Sequence, residues 1–202
     1  MAAITETIRK TEIPISGAVS KPKNTGRIRN EASINRFLIK NKGYEFVNGK
    51  LEKKEMPTAK HSGIATRLTI EFGIYLKNNK IGRVYGDNTL FQIGANRRIP
   101  DVAFVSASKI PQTGEPLDIW NFAPDLAIEV ISPSERHNKV EQKIREYFAA
   151  GVKQVWKIVP EFKTLTIYFS MTETKILTED DVITCEEILP GFNLKLSDIF
   201  ID

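Results

Sequence analysis

Two short apolar runs, each interrupted by one acid, constrain this chain more than any other feature: Ile99-Pro100-Asp101-Val102-Ala103-Phe104-Val105 and Leu126-Ala127-Ile128-Glu129-Val130-Ile131. Residues of these types belong on strands inside a core. An ionised carboxylate set among them is costly unless a cation or hydrogen bonds compensate it. Two on neighbouring strands point to a divalent metal site, with Asp101 and Glu129 as its first candidate ligands.

A chain of 202 residues, 41% of them hydrophobic, can fill one core and is short for two. The expected organisation is an irregular basic tail over residues 1–30 and a single domain over 31–202. The tail contains Pro14, Gly17, Pro22 and Gly26 and no sustained period. It holds Arg9, Lys10, Lys21, Lys23, Arg27 and Arg29 against Glu6 and Glu12, which accounts for the whole formal charge of +4. The rest of the chain is balanced, so net charge alone makes no case for nucleic-acid binding by the body. Such a charge-rich segment reads as a solvated leader. Cys185 is the only cysteine, which excludes an intrachain disulfide. No apolar run reaches the ~18–20 residues that span a bilayer, and no signal-peptide region opens the chain. The reading is a soluble, cytoplasmic protein with no membrane partner.

Turn residues and periodicity sketch the elements. Ser33 is placed to cap a short helix carrying Ile34, Phe37 and Leu38 that stops before Gly43. Tyr44-Glu45-Phe46-Val47 and the run from Lys50 flank Asn48-Gly49, a hairpin signature because both turn positions need positive φ. Ile64, Leu68, Phe72 and Tyr75/Leu76 recur at helical spacing. Residues 82–93 read as one extended segment, and 99–105 as the strand bearing Asp101. Pro111, Gly114 and Pro116 make 106–123 a surface loop of the kind that approaches substrate. The Glu129 strand, 125–131, ends at Ser132-Pro133-Ser134, where Ser134 can cap a helix running to Ala150. A hairpin over 153–159 and 164–169, further strands and a turn at Leu189-Pro190-Gly191-Phe192 complete the chain.

The ordered set of Pro100-Asp101, Glu129, Ser132-Pro133-Ser134 and a helix with Lys143 and Tyr147 resembles the PD-(D/E)xK phosphodiesterase superfamily. Within it the chain is similar to the putative restriction endonuclease family, from about Tyr44 to Phe200 and including His61, Tyr147-Phe148-Ala149-Ala150-Gly151 and Leu189-Pro190-Gly191-Phe192. The resemblance implies a mixed α/β fold with a restriction-endonuclease-like core: a central mixed sheet flanked by helices, with an N-terminal hairpin and C-terminal strands. It also implies Mg2+ or Mn2+ held by Asp101 and Glu129, with Glu45 as a third acid from an early element, and DNA as the substrate. Cutting both strands needs two sites, which a homodimer would supply.

The superfamily pattern fails at one place. Its lysine lies two residues after the glutamate, on the same strand face, and here that residue is Ile131. At about 100° per residue, Val140 at 0° puts Ile144 near ~40°, Tyr147 near ~−20° and Lys143 near ~−60°. Lys143 thus borders the buried stripe, while Glu141, Gln142 and Glu146 fall on the solvated side. A lysine there either snorkels along the core edge or supplies the missing cation. Relatives carry their lysine on this helix, which favours the catalytic role.

The other candidates keep two readings each. Glu45 is an outward-facing acid on an alternating strand or a metal ligand. His61 is a hydrogen-bonded residue of a helix start or a group that polarises phosphate. Arg98, with Arg97, is half of a solvated loop pair or a phosphate contact. Tyr147 packs or hydrogen-bonds within the site. Asp125 shares a face with Glu129 but lies about 13 Å away at 3.3 Å per residue, too far for joint ligation. The expected function is a metal-dependent endonuclease acting on DNA. The alternative is an inactive module of the same fold that binds nucleic acid or protein, motivated by Ile131.

Overall fold

The computed structural model describes residues 30–133 and 135–200. The predicted tail lies, apart from Asn30, outside them, as does the Ser134 cap. The chain opens with helix α1 (Glu31–Lys40), the hairpin β1 (Tyr44–Val47) and β2 (Lys50–Lys53), and the long helix α2 (Ala59–Asn78). Strands β3 (Gly82–Gly86), β4 (Leu90–Ile93), β5 (Asn96–Arg98), β6 (Val102–Ser106), β7 (Ile119–Trp120) and β8 (Leu126–Val130) follow, then helix α3 (His137–Ala149). Strands β9 (Gln154–Val159), β10 (Thr164–Tyr168), β11 (Thr174–Leu177), β12 (Val182–Cys185) and β13 (Leu189–Lys195) lead into a last 3-10 turn, Leu196–Ile199.

Six strands form the central sheet in the order β11-β10-β9-β8-β6-β3, with β8 and β9 parallel and the other pairs antiparallel. Successive side chains along β6 and β8 point to opposite faces, and both faces are covered. Val102, Phe104, Leu126 and Ile128 pack with Ile64, Leu68 and Phe72 of α2 and with the C-terminal strands. Ala103, Val105 and Ala127 pack with Val140, Ile144 and Tyr147 of α3. Double coverage is why these strands read as nearly continuous apolar runs. A second sheet, β2-β1-β5-β4-β7, carries the N-terminal hairpin and contributes Phe91, Ile93 and Trp120 to the α3 side.

Several local expectations change. Asn30, not Ser33, caps α1, its side chain accepting from Ser33 N–H. The segment 82–93 divides between the two sheets. Asp101 sits just before β6 rather than within it. Arg136 precedes α3 without a side-chain cap. Residues 189–192 lie in β13, beside a register shift in its pairing with β12, rather than in a free turn. The Asn48-Gly49 hairpin is as the sequence predicts, both residues adopting positive φ.

Candidate active site

The pairing of β6 with β8 brings the two acids together. Val102 is opposite Ile128 in the antiparallel register, and Asp101 N–H donates to the Ile128 carbonyl at 3.0 Å. One further step on each strand sets Asp101 against Glu129, and residues directly across an antiparallel pair share a face. That face is the one covered by α3. Both carboxylates are 2% exposed and line a pocket of ≈ 400 Å³ together with Glu45, His61, Arg98 and Lys143.

Asp101 is held by three donors, from β8, from α2 and from the segment that follows β2. Val130 N–H donates to Oδ2 at 2.7 Å, His61 Nε2 lies 3.2 Å from the same oxygen, and Lys54 Nζ is 2.7 Å from Oδ1. Thr58 Oγ1 caps α2 by accepting from His61 N–H, which places the imidazole in the first helical turn. If neutral His61 donates from Nε2, its Nδ1 is left to accept from Ser132 Oγ, 3.3 Å away. Burial pushes the Asp101 carboxyl up, but the hydrogen bond from His61 and the charge of Lys54 outweigh it and hold it well below the usual carboxylate range.

Glu129 is held from α3. Lys143 Nζ lies 2.8 Å from Oε2 and Tyr147 donates its hydroxyl to Oε1 at 2.6 Å. Lys143 and Tyr147 are four apart, one turn of helix, which is why both reach the same carboxylate. Tyr147 therefore packs and hydrogen-bonds at once. Lys143 is also 3.1 Å from Glu135. Burial works against its charge, but Glu129, Glu45 and Glu135 outweigh it and raise its pKa. At Glu129 burial prevails over Lys143, and with the adjacent Asp101 charge it raises the carboxyl above its ordinary value.

Glu45 faces inward, 5% exposed, and both of its oxygens are committed: Oε2 to Arg98 at 2.9 Å and Oε1 to Ile99 N–H at 2.8 Å. It fixes the backbone immediately before Asp101. Arg98 also bonds Glu146 at 2.7 and 2.8 Å, so Glu146 is a partner in this network rather than a freely solvated charge. Arg97 is drawn away from the pocket to Glu31 and Asn35 of α1. Asp125 occupies the other end of β8, bonded to Ser106 N–H and flanked by Lys109. No residue of 106–123 lines the pocket, so that loop does not form part of it. Ile131 packs on the α3 side, where the superfamily's lysine would point.

Two contributors went unread in the sequence. Ser132 carries in the sequence only the signal of a strand end before Pro133. Lys54 lies in a run of mixed charge, Glu52-Lys53-Lys54-Glu55, with no period to distinguish it. Charge counting carries a signal: two core carboxylates need two cations, and Lys143 can serve only one.

Among the described residues, no group of three or more His, Cys, Asp and Glu converges into a metal cage, and no helix is long and apolar enough to cross a membrane. Comparison with curated proteins finds no match. A solved structure described as a putative nuclease belonging to DUF820 from Anabaena variabilis ATCC 29413 superimposes with a TM-score of 0.71 at 28% identity, covering 78% of this chain and 89% of that one. The model of the Uma2 family, described as "Putative restriction endonuclease", matches residues 38–197. That span takes in most of the fold and every residue that lines the pocket, and the chain belongs to the Uma2 family.

Proposed function

We propose that the protein is a metal-dependent endonuclease that hydrolyses phosphodiester bonds in DNA, with Mg2+ or Mn2+ held by Asp101 and Glu129. The observation that carries this reading is the convergence of Asp101, Glu129 and Lys143 in one pocket of a nuclease-family fold. The donor chemistry fits such an ion: two carboxylates and the nearby Ile99 carbonyl are hard oxygen ligands, and magnesium is commonly held by one or two carboxylates, with waters and substrate oxygens completing its shell. When bound, the ion polarises the phosphoryl oxygen and steadies the leaving oxygen.

The chain's own residues do the rest. His61 and Val130 N–H fix the rotamer of Asp101, and Tyr147 fixes that of Glu129. Lys143 presents positive charge beside Glu129, where it orients the attacking water and offsets charge that develops on the phosphate. It takes the part of the lysine missing at Ile131. Glu45, through Arg98 and Ile99, supports the corner that presents Asp101. Two such pockets are needed to cut both strands, which favours a homodimer.

A second reading has its own observation: each carboxylate already faces an ammonium, Lys54 on Asp101 and Lys143 on Glu129. An inactive binding module would be neutralised in this way. Incubation of the purified protein with supercoiled plasmid and Mn2+ separates the two readings. The nuclease nicks and linearises the plasmid, Asp101→Ala abolishes cleavage, and Lys143→Met slows it by about 10²-fold. Wild-type turnover no greater than that of Asp101→Ala selects the inactive module.

A further inference from the structure

The Lys54 ammonium is surrounded by oxygen. It lies 2.7 Å from Asp101 Oδ1 and 2.9 Å from the Ile99 carbonyl, and it feels the charge of Glu129 as well. A carboxylate, a backbone carbonyl and a second carboxylate nearby make the environment that suits a hard divalent cation. We infer that Lys54 is the site's built-in counter-cation, a tethered ammonium that holds Asp101 in the absence of a divalent ion and withdraws when the ion binds. The inference rests on the assignment of the ion to Asp101 and Glu129.

Three features of the chain suit Lys54 to this exchange. It immediately follows β2, its N–H donating to the Gly43 carbonyl at 2.7 Å, and residues 55–58 belong to no helix or strand, so the side chain can swing away while that backbone bond stays in place. Its side chain is 21% exposed, against 3% for that of Asp101, so the ammonium has a way out to water. The stem is four flexible carbons with a compact charge at the tip. Lys143 shares that stem but lies inside α3, its side chain is 10% exposed, and two carboxylates, Glu129 and Glu135, hold it. Lys54 is therefore the cation that leaves and Lys143 the one that stays.

A displaced ammonium competes with the incoming ion, so removing it strengthens ion binding while weakening the ion-free protein. Lys54→Met keeps the stem and deletes the charge. By calorimetric titration with MnCl2 in the absence of DNA, Lys54→Met should bind Mn2+ about tenfold more tightly than wild type, the worth of one hydrogen bond to a charged group. Its melting temperature without metal should fall below that of wild type. In an Asp101→Asn background the same substitution should lower the metal-free melting temperature by less than it does in wild type, because the Asp101 charge is gone and only the Ile99 carbonyl and Glu129 remain as partners. Lys54→Gln serves as a second neutral variant if Lys54→Met does not fold. Failure of wild type to bind Mn2+ overturns the ion assignment itself. Binding by wild type that is lost in Glu129→Ala but equal or weaker in both Lys54 variants leaves that assignment standing and overturns the exchange role.

Discussion

Asp101, Glu129 and Asp125 are three buried acids with three different fates, each decided by the donors within reach. Asp101 collects a backbone N–H, an imidazole and an ammonium; Glu129 has a phenol and an ammonium. Asp125, 1% exposed, is a structural anion clear of the pocket. Burial pushes its carboxyl up, but the Ser106 hydrogen bond and the Lys109 charge prevail and leave it below its ordinary 3.8. A carboxyl lowered on folding contributes stability that is fully present above the unfolded value and lost as pH falls through the folded one. Asp125→Asn should therefore cost about 1–3 kcal/mol near neutral pH, and the gap to wild type should close as pH drops below about 4. Denaturant titrations at a series of pH values check this; a gap independent of pH contradicts it. Single residues were legible where a core period exposed them. Asp101 and Glu129 stood out against apolar neighbours, and Lys143 against the stripe of α3. Lys54 and Asp101 are 47 residues apart in sequence, and no local pattern announces a contact of that range.

At the scale of elements, hydrophobic periodicity read the long helix and the helix that carries Lys143, and turn chemistry read the first hairpin. Boundaries that depend on pairing partners were not legible. Residues 82–93 carry no Pro and only a weak turn signal at Asp87-Asn88, yet a turn there, closed by Thr89 N–H on the Gly86 carbonyl, ends β3, and the partners on either side, β6 for β3 and β5 for β4, put the two halves in different sheets. One glycine enforces that choice. A Cβ on Gly82 would overlap the Phe104 ring and the Val105 carbonyl oxygen, whereas Gly86, at the other end of β3, has open space. Gly82→Ala should cost about 2–3 kcal/mol through overpacking, and Gly86→Ala much less. Equal melting temperatures for the two variants would contradict this account of β3 seating on β6.

At the scale of the whole molecule, the balanced charge of residues 31–202 means that affinity for a polyanion must come from local placement, not from net charge. The sheet supplies that placement: α2 brings His61 to one side of Asp101, α3 brings Lys143 and Tyr147 to Glu129, and the hairpin delivers Glu45 and Lys54. Family membership and the superfamily motif fix the frame, while the register of β6 on β8 sets the acids opposite each other. The central claim is that these two carboxylates hold one divalent ion. Anomalous scattering from crystals soaked in MnCl2 tests it most directly. The account predicts a manganese peak bonded to both Asp101 and Glu129, with Lys54 withdrawn from Asp101; a peak elsewhere, or none at concentrations that support cleavage, would contradict it.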